Sequence, residues 1–385
     1  MDLAQRLSHL ESVHDWHGLV EELEKGIASE GDAAKKAAYH LKLGQVLEEK
    51  FLQAVKALKH FQDAYKLNPA LLEALEQARA IYWDLGKVNM VQKLLELELR
   101  NAPDGDLAAT LLLELGDVLC DGGDFERATA TYAKALGSSG GSSEEARSRL
   151  EDMQVDETSW EARVTALVSA SEEAATRAER RDILLRAARL AKRFDKARLE
   201  ELLSGAYEAE PSDKQAAAMF EGLLADEERS QALLDAQRKI LDARSGQARA
   251  DAAFKFGVRW ATRHQNVEIG AKLLEEALTY DPRNEAAFAY LRELWGTKEG
   301  DWERLLSLAE STAGEDGSSP FVVAQAGAIA WKQLGNLMRA RAWFERLAAV
   351  APDHPTLRAF EAQIGEQLSG AQAVKAPSIP PPPAR

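Results

Sequence analysis

Apolar residues recur at three- and four-residue intervals along nearly the whole chain, separated by charged positions. Asp124-Phe125 leads into Ala128, Tyr132 and Ala135, and Gly335-Asn336 into Ala340, Phe344 and Leu347. The i, i+4 and following i+3 steps place each set on one face of a helix. Alanine allows a neighbouring helix to approach closely, and the aromatic ring fills the adjacent gap. Ala, Leu and Glu dominate, β-branched residues are sparse, and no proline occurs between Asp104 and Glu210. This is the profile of good helix formers, so the pattern predicts an all-α chain.

Similar turns punctuate these periodic segments: Leu67-Asn68-Pro69, Asn101-Ala102-Pro103, Glu210-Pro211, Asp281-Pro282 and Ala351-Pro352. Pro69 and Pro103 are 34 residues apart, Pro211 and Pro282 are 71 apart, and Pro282 and Pro352 are 70 apart. A unit of two antiparallel helices repeated about every 34 residues explains all three intervals. At 385 residues the chain is long enough for two or three compact domains or for one repeat array. Independent domains would not share that interval, which favours an array of roughly ten helical pairs.

On these residues the chain resembles the tetratricopeptide repeat family. Leu112, Leu115, Gly116 and Leu119 match first-helix positions, with Ala128, Tyr132 and Ala135 on the second helix. Ala57, Phe61, Ala64 and Pro69 match the latter part of an earlier unit, and Ala340, Phe344 and Pro352 a late one. Gly270, Leu274, Ala277 and Pro282 retain the second helix, but the helix before them fits only with a slipped register. Asp15-Trp16-His17-Gly18-Leu19 and Asp301-Trp302-Glu303-Arg304-Leu305 resemble one another and a tryptophan-bearing variant of the second helix. The resemblance covers most of residues 1–365. It implies a right-handed superhelix, an α-solenoid of antiparallel helix pairs whose first helices line a concave groove.

Composition divides the chain. The Gly137–Ser143 run and the polar Glu151–Ser159 segment read as a connector. The expected organisation is therefore N-terminal repeats at 1–137, an irregular or flexible connector at 138–159, divergent C-terminal repeats at 160–368 and a proline-rich tail or linker at 369–385. Pro377 and Pro380 to Pro383 make the tail unfit for helix.

Lys plus Arg number 48 against 63 Asp plus Glu, a net charge of -15 with no basic block to break it. Direct nucleic-acid binding is not expected, and a basic or amphipathic protein segment is the more natural partner. The chain has no secretory signal pattern and no apolar run of about 18 residues, so membrane insertion is not expected either. A single cysteine, Cys120, suits a reducing cytoplasm and reads as a buried or half-buried small residue in a leucine-rich helix. His14 and His17 lie three apart beside Asp15 and Glu21, yet no other soft ligand accompanies them, and no metal is expected. No phosphate-cradling glycine loop or nucleophile–base pair appears, so neither a cofactor nor catalysis is expected.

The groove positions that the resemblance carries over are Glu73, Glu76, Trp83 and Asp84 in one unit and Asp117, Cys120 and Asp121 in the next, extended by Gln45, Glu48 and Glu49. Together they describe an acidic, protein-binding groove with Trp83 as its apolar anchor. Gln325, Ile329, Lys332 and Gln333 suggest a second, less acidic groove, with Trp331 packing between helices. The expected function is a non-catalytic cytoplasmic scaffold or adaptor. Two alternatives are a regulatory or assembly subunit, or fragment, of a larger enzyme, motility, secretion or signalling machine, and self-association through terminal repeats.

Overall fold

The computed structural model describes residues 2–102, 104–226, 228–296, 301–312 and 319–368. The expected proline-rich tail lies outside them, as does Pro103. Among the described residues the chain is helical without strands. Helices α1 (Leu3–Ser12) and α2 (Trp16–Ser29) are followed by α3 (Ala33–Phe51), α4 (Ala54–Leu67), α5 (Glu73–Asp84), α6 (Val88–Asn101), α7 (Asp106–Gly122) and α8 (Phe125–Ser138). Next come α9 (Glu144–Met153), α10 (Trp160–Glu172), α11 (Arg177–Phe194), α12 (Leu199–Ala209), α13 (Lys214–Asp226), α14 (Ser230–Asp242), α15 (Gly246–Thr262) and α16 (Val267–Tyr280). The last are α17 (Glu285–Gly296), α18 (Asp301–Thr312), α19 (Pro320–Ala328), α20 (Leu337–Val350) and α21 (Pro355–Ile364), with a π-helical turn at Ile329–Gln333.

The turn chemistry explains where helices stop. Gly123 (φ 85°) and Gly335 (φ 61°) occupy the left-handed region that glycine enters without steric cost. The next residue then opens a helix: Asp124 accepts from the Arg127 amide, and Asn336 from that of Arg339. Pro69, Pro211, Pro282 and Pro352 each follow directly on a helix C-cap, at Asn68, Glu210, Asp281 and Ala351.

Two compact units form. One contains residues 2–22 with the described residues between 282 and 368, the other residues 23–281. The expected divisions at 138 and 160 both fall inside the second unit, where residues 144–153 are helical as α9. Within that unit successive helices pair, α3 with α4, α5 with α6, α7 with α8 and α15 with α16, while α13 also packs on α5. The expected knob-and-gap residues are its core: Ala57, Phe61, Ala64, Ala128, Tyr132 and Ala135 are all buried. Phe61 lies against Gly44 and Tyr132 against Gly116, so the first helix of each pair presents bare backbone to the ring.

In the first unit, Trp331 packs edge-on to Phe344 and Phe360, and those two rings stack at 4.3 Å. Trp16 is buried and donates its indole N–H to Glu285 at 2.7 Å, and His14 Nδ1 lies 2.5 Å from the same carboxylate. His17 instead stacks on Phe321, so His14 and His17 do not converge on one point.

Candidate functional site

A cavity of about 230 Å³ opens in the second unit between the end of α3, the end of α5 and one face of α15. Its walls are largely apolar, with Leu52, Ile81 and Leu85 facing Phe254 and Val258. Three of the residues expected from the sequence, Glu48, Glu49 and Asp84, lie on it.

Glu48 is half-buried, and its carboxylate forms no hydrogen bond or ion pair among the described residues. Burial pushes its carboxyl up to about 7. Lys214 offsets that rise in part, and the negative charges of Asp84 and Glu49 add to it. Glu49 is exposed on the rim. Asp84 is taken by Lys214 at 2.9 Å, with Arg259 3.8 Å away. Opposite, Lys255 lies near the Phe254 ring, and burial lowers its ammonium below the ordinary value. Arg259 is 1% exposed, donates to the Pro211 carbonyl at 2.9 Å and lies 3.4 Å from Glu221. Burial disfavours a charged Glu221, but Arg259, His264 and Arg263 outweigh it and hold the carboxyl at about 2. The Arg259 charge is therefore internally compensated, although its Nε and Nη2 make no hydrogen bond.

The other expected site residues are placed differently. Gln45 donates to Glu73 at 2.9 Å, and Glu73 and Glu76 are exposed on α5. Trp83 is 5% exposed and donates to Glu114 at 3.0 Å, so its ring belongs to the packing between α5 and α7. Asp117 is buried, accepting from the Tyr132 hydroxyl at 2.6 Å and from Arg149 Nε at 2.9 Å. Burial opposes its charge, yet Arg189 and Arg149 together hold the carboxyl below its ordinary value. Asp121 accepts from Arg189 Nε at 2.8 Å and from Gln215 at 2.9 Å. These two acids tie α7 to α9, α11 and α13 rather than facing outward. Cys120 is fully buried beside the Tyr132 hydroxyl, and burial pushes its thiol up to about 11, which makes it a poor nucleophile.

Sequence reasoning missed the α15 wall. Its signal is the stripe Phe254, Val258 and Thr262, spaced four apart so that all three share a helix face. Gln325, Ile329, Lys332 and Gln333, read as a second groove, do line a common cavity of about 170 Å³ inside the first unit. Among the described residues, no helix is long and apolar enough to cross a membrane, and no cluster of three or more metal-ligating side chains forms.

The fold defines the class: an all-α helical-repeat protein. No protein-family model matches the chain, and no curated protein matches it in sequence. Among solved structures it is similar to the TPR domain of P58(IPK), at 16% identity over 86% of this chain and 88% of that one, with a TM-score of 0.27. It is also similar to a chain of the Naa15/Naa10 assembly bound to HypK-THB, at 15% identity, 94% and 66% coverage and a TM-score of 0.30. A third is the IFIT1 monomeric mutant with Gppp-AAAA, at 16% identity, 87% and 68% coverage and a TM-score of 0.26.

Proposed function

We propose that the chain is a divergent tetratricopeptide-type interaction scaffold without catalytic activity, and that the cavity between α3, α5 and α15 receives an apolar side chain from a basic, amphipathic segment of a protein partner. The observation that carries this reading is the Glu48 carboxylate, held without a hydrogen bond or ion pair at the wall of a largely apolar cavity. A half-buried acid that has only the through-space charges of Lys214 and Lys255 and no direct ion pair is costly, and an incoming Lys or Arg beside an apolar anchor would relieve that cost. Glu49 on the rim adds a second negative charge, while Arg259 and Lys214 are already matched by Glu221 and Asp84. The protein's net charge of -15 would steer such a segment towards it.

Selection of random displayed peptides on the full chain tests this. The expected consensus pairs a large apolar residue with adjacent Lys or Arg. Selected peptides should bind Thr262→Trp, which fills the cavity, at least tenfold more weakly, and Glu48→Gln several-fold more weakly, with helicity unchanged. Trp83→Phe, altering an internal ring, should bind as the parent does. Peptides without that consensus, or equal binding to Thr262→Trp, would refute the reading.

A further inference from the structure

The first unit holds a second cavity, and its chemistry differs from that of the first. Arg292 on α17 is half-buried at its wall. Its Nη1 lies 3.3 Å from His17 Nε2, and because a guanidinium only donates, that imidazole nitrogen must be the acceptor and the ring neutral. Burial, reinforced by the Arg292 charge, holds His17 at about 4, in keeping with that role. Arg292 Nε is shielded from solvent and makes no hydrogen bond, and no carboxylate lies within ion-pair distance of the guanidinium among the described residues. Glu293, its neighbour in sequence, influences it only through space. A buried guanidinium held by a neutral imidazole, without an acid, is an uncompensated charge.

The remaining walls supply what an anion needs. Lys332 stands on the π-helical turn with its ammonium 5.0 Å over the Trp331 ring, leaving it unneutralised by any ion pair. Such turns frequently mark functional sites, because the extra residue re-aims the side chains around it. Gln325, Gln333 and Thr356 add neutral polar groups. Asp15 is the one acid on the lining, and one of its oxygens caps α2 by accepting from the Gly18 amide at 3.1 Å. Two cations against one acid, with amide and hydroxyl groups on several sides, fit a tetrahedral oxyanion better than an apolar or cationic group.

We propose that this cavity binds a phosphoryl group, with the Arg292 guanidinium and the Lys332 ammonium as its cationic contacts. The inference rests on the first unit alone and does not depend on the peptide-binding reading of the second. Titration calorimetry on the full chain with inorganic phosphate and, separately, with O-phosphoserine tests it. At least one probe should bind saturably at one site per chain, and at least tenfold more weakly to Arg292→Met and severalfold more weakly to Lys332→Met. Lys332 is exposed, so the second variant keeps the test valid if the first is poorly folded. Binding of both probes indicates a free oxyanion as the natural ligand, and binding of O-phosphoserine alone indicates one borne on a residue. Absence of saturable binding by either probe, or equal affinity in Lys332→Met, would overturn the proposal.

Discussion

Glu48 is the acid on which burial acts most plainly in the second unit. Its carboxyl ionises near 4.5 in an unfolded chain and at about 7 in the folded one, because burial penalises the charged form. Between those values the folded protein holds a proton that the unfolded chain has released. Stability therefore falls as pH rises from about 4.5 to about 7 and stays lower above that. Glu48→Gln removes this loss: denaturant melts should show it equal to the parent near pH 4 and more stable by about 1–3 kcal/mol at pH 8. Parallel stability–pH curves for the two proteins would contradict the assignment. A cation entering the cavity acts in the opposite sense, drawing Glu48 down and releasing a proton on binding near pH 7.

Glycines inside the helices show how the repeating element is built. At Gly44 an added Cβ would sit 2.5 Å from a ring carbon of Phe61, so α3 and α4 approach across bare backbone. Gly44→Ala gains helix propensity of roughly 1 kcal/mol but forces the ring to move, and overpacking costs about 1–3 kcal/mol. The expected result is net destabilisation in urea melts, partly recovered in the double variant with Phe61→Leu. Gly137→Ala is the control: within α8, with nothing within 4 Å of its added Cβ, it should stabilise by about 0.5–1 kcal/mol. Stabilisation by Gly44→Ala as well would sink the close-approach account. This pairing was legible in the sequence, because small and aromatic residues at four-residue spacing leave a clear helical stripe. The repeats between α9 and α15 were not, since buried positions there carry Asp152, Arg189, Glu221 and Arg259, which a hydrophobic pattern assigns to solvent. Asp117 and Asp121 were expected in a groove because the family resemblance carried those positions over, and the arginines that pair them internally, Arg149 and Arg189, lie on later helices. Glu48, Glu49 and Asp84, expected as groove positions from the family resemblance, line one cavity of the second unit.

At the scale of the whole molecule, residues 2–22 and the described residues between 282 and 368 belong to one compact unit and residues 23–281 to the other. Nothing in composition announces this, because the division at 22/23 falls within α2, a continuous amphipathic helix. The contacts that create it include Trp16 and His14, which both reach Glu285, and His17, which stacks on Phe321 with ring centroids 6.0 Å apart. The first unit therefore depends on residues that precede α17 by more than 250 positions, and that dependence can be measured. Trp16→Ala removes a buried ring and a hydrogen bond to a buried carboxylate, a loss of about 3–5 kcal/mol in a typical core. Local opening free energy sets amide exchange, so amides of α17 and α19 should exchange at least tenfold faster in the variant while those of α7 and α8 keep the parent rate. Unchanged exchange in α17 would mean that the N-terminal segment does not hold that unit together. Acceleration confined to α3 and α4 would instead place residues 1–22 with the helices that follow them in sequence.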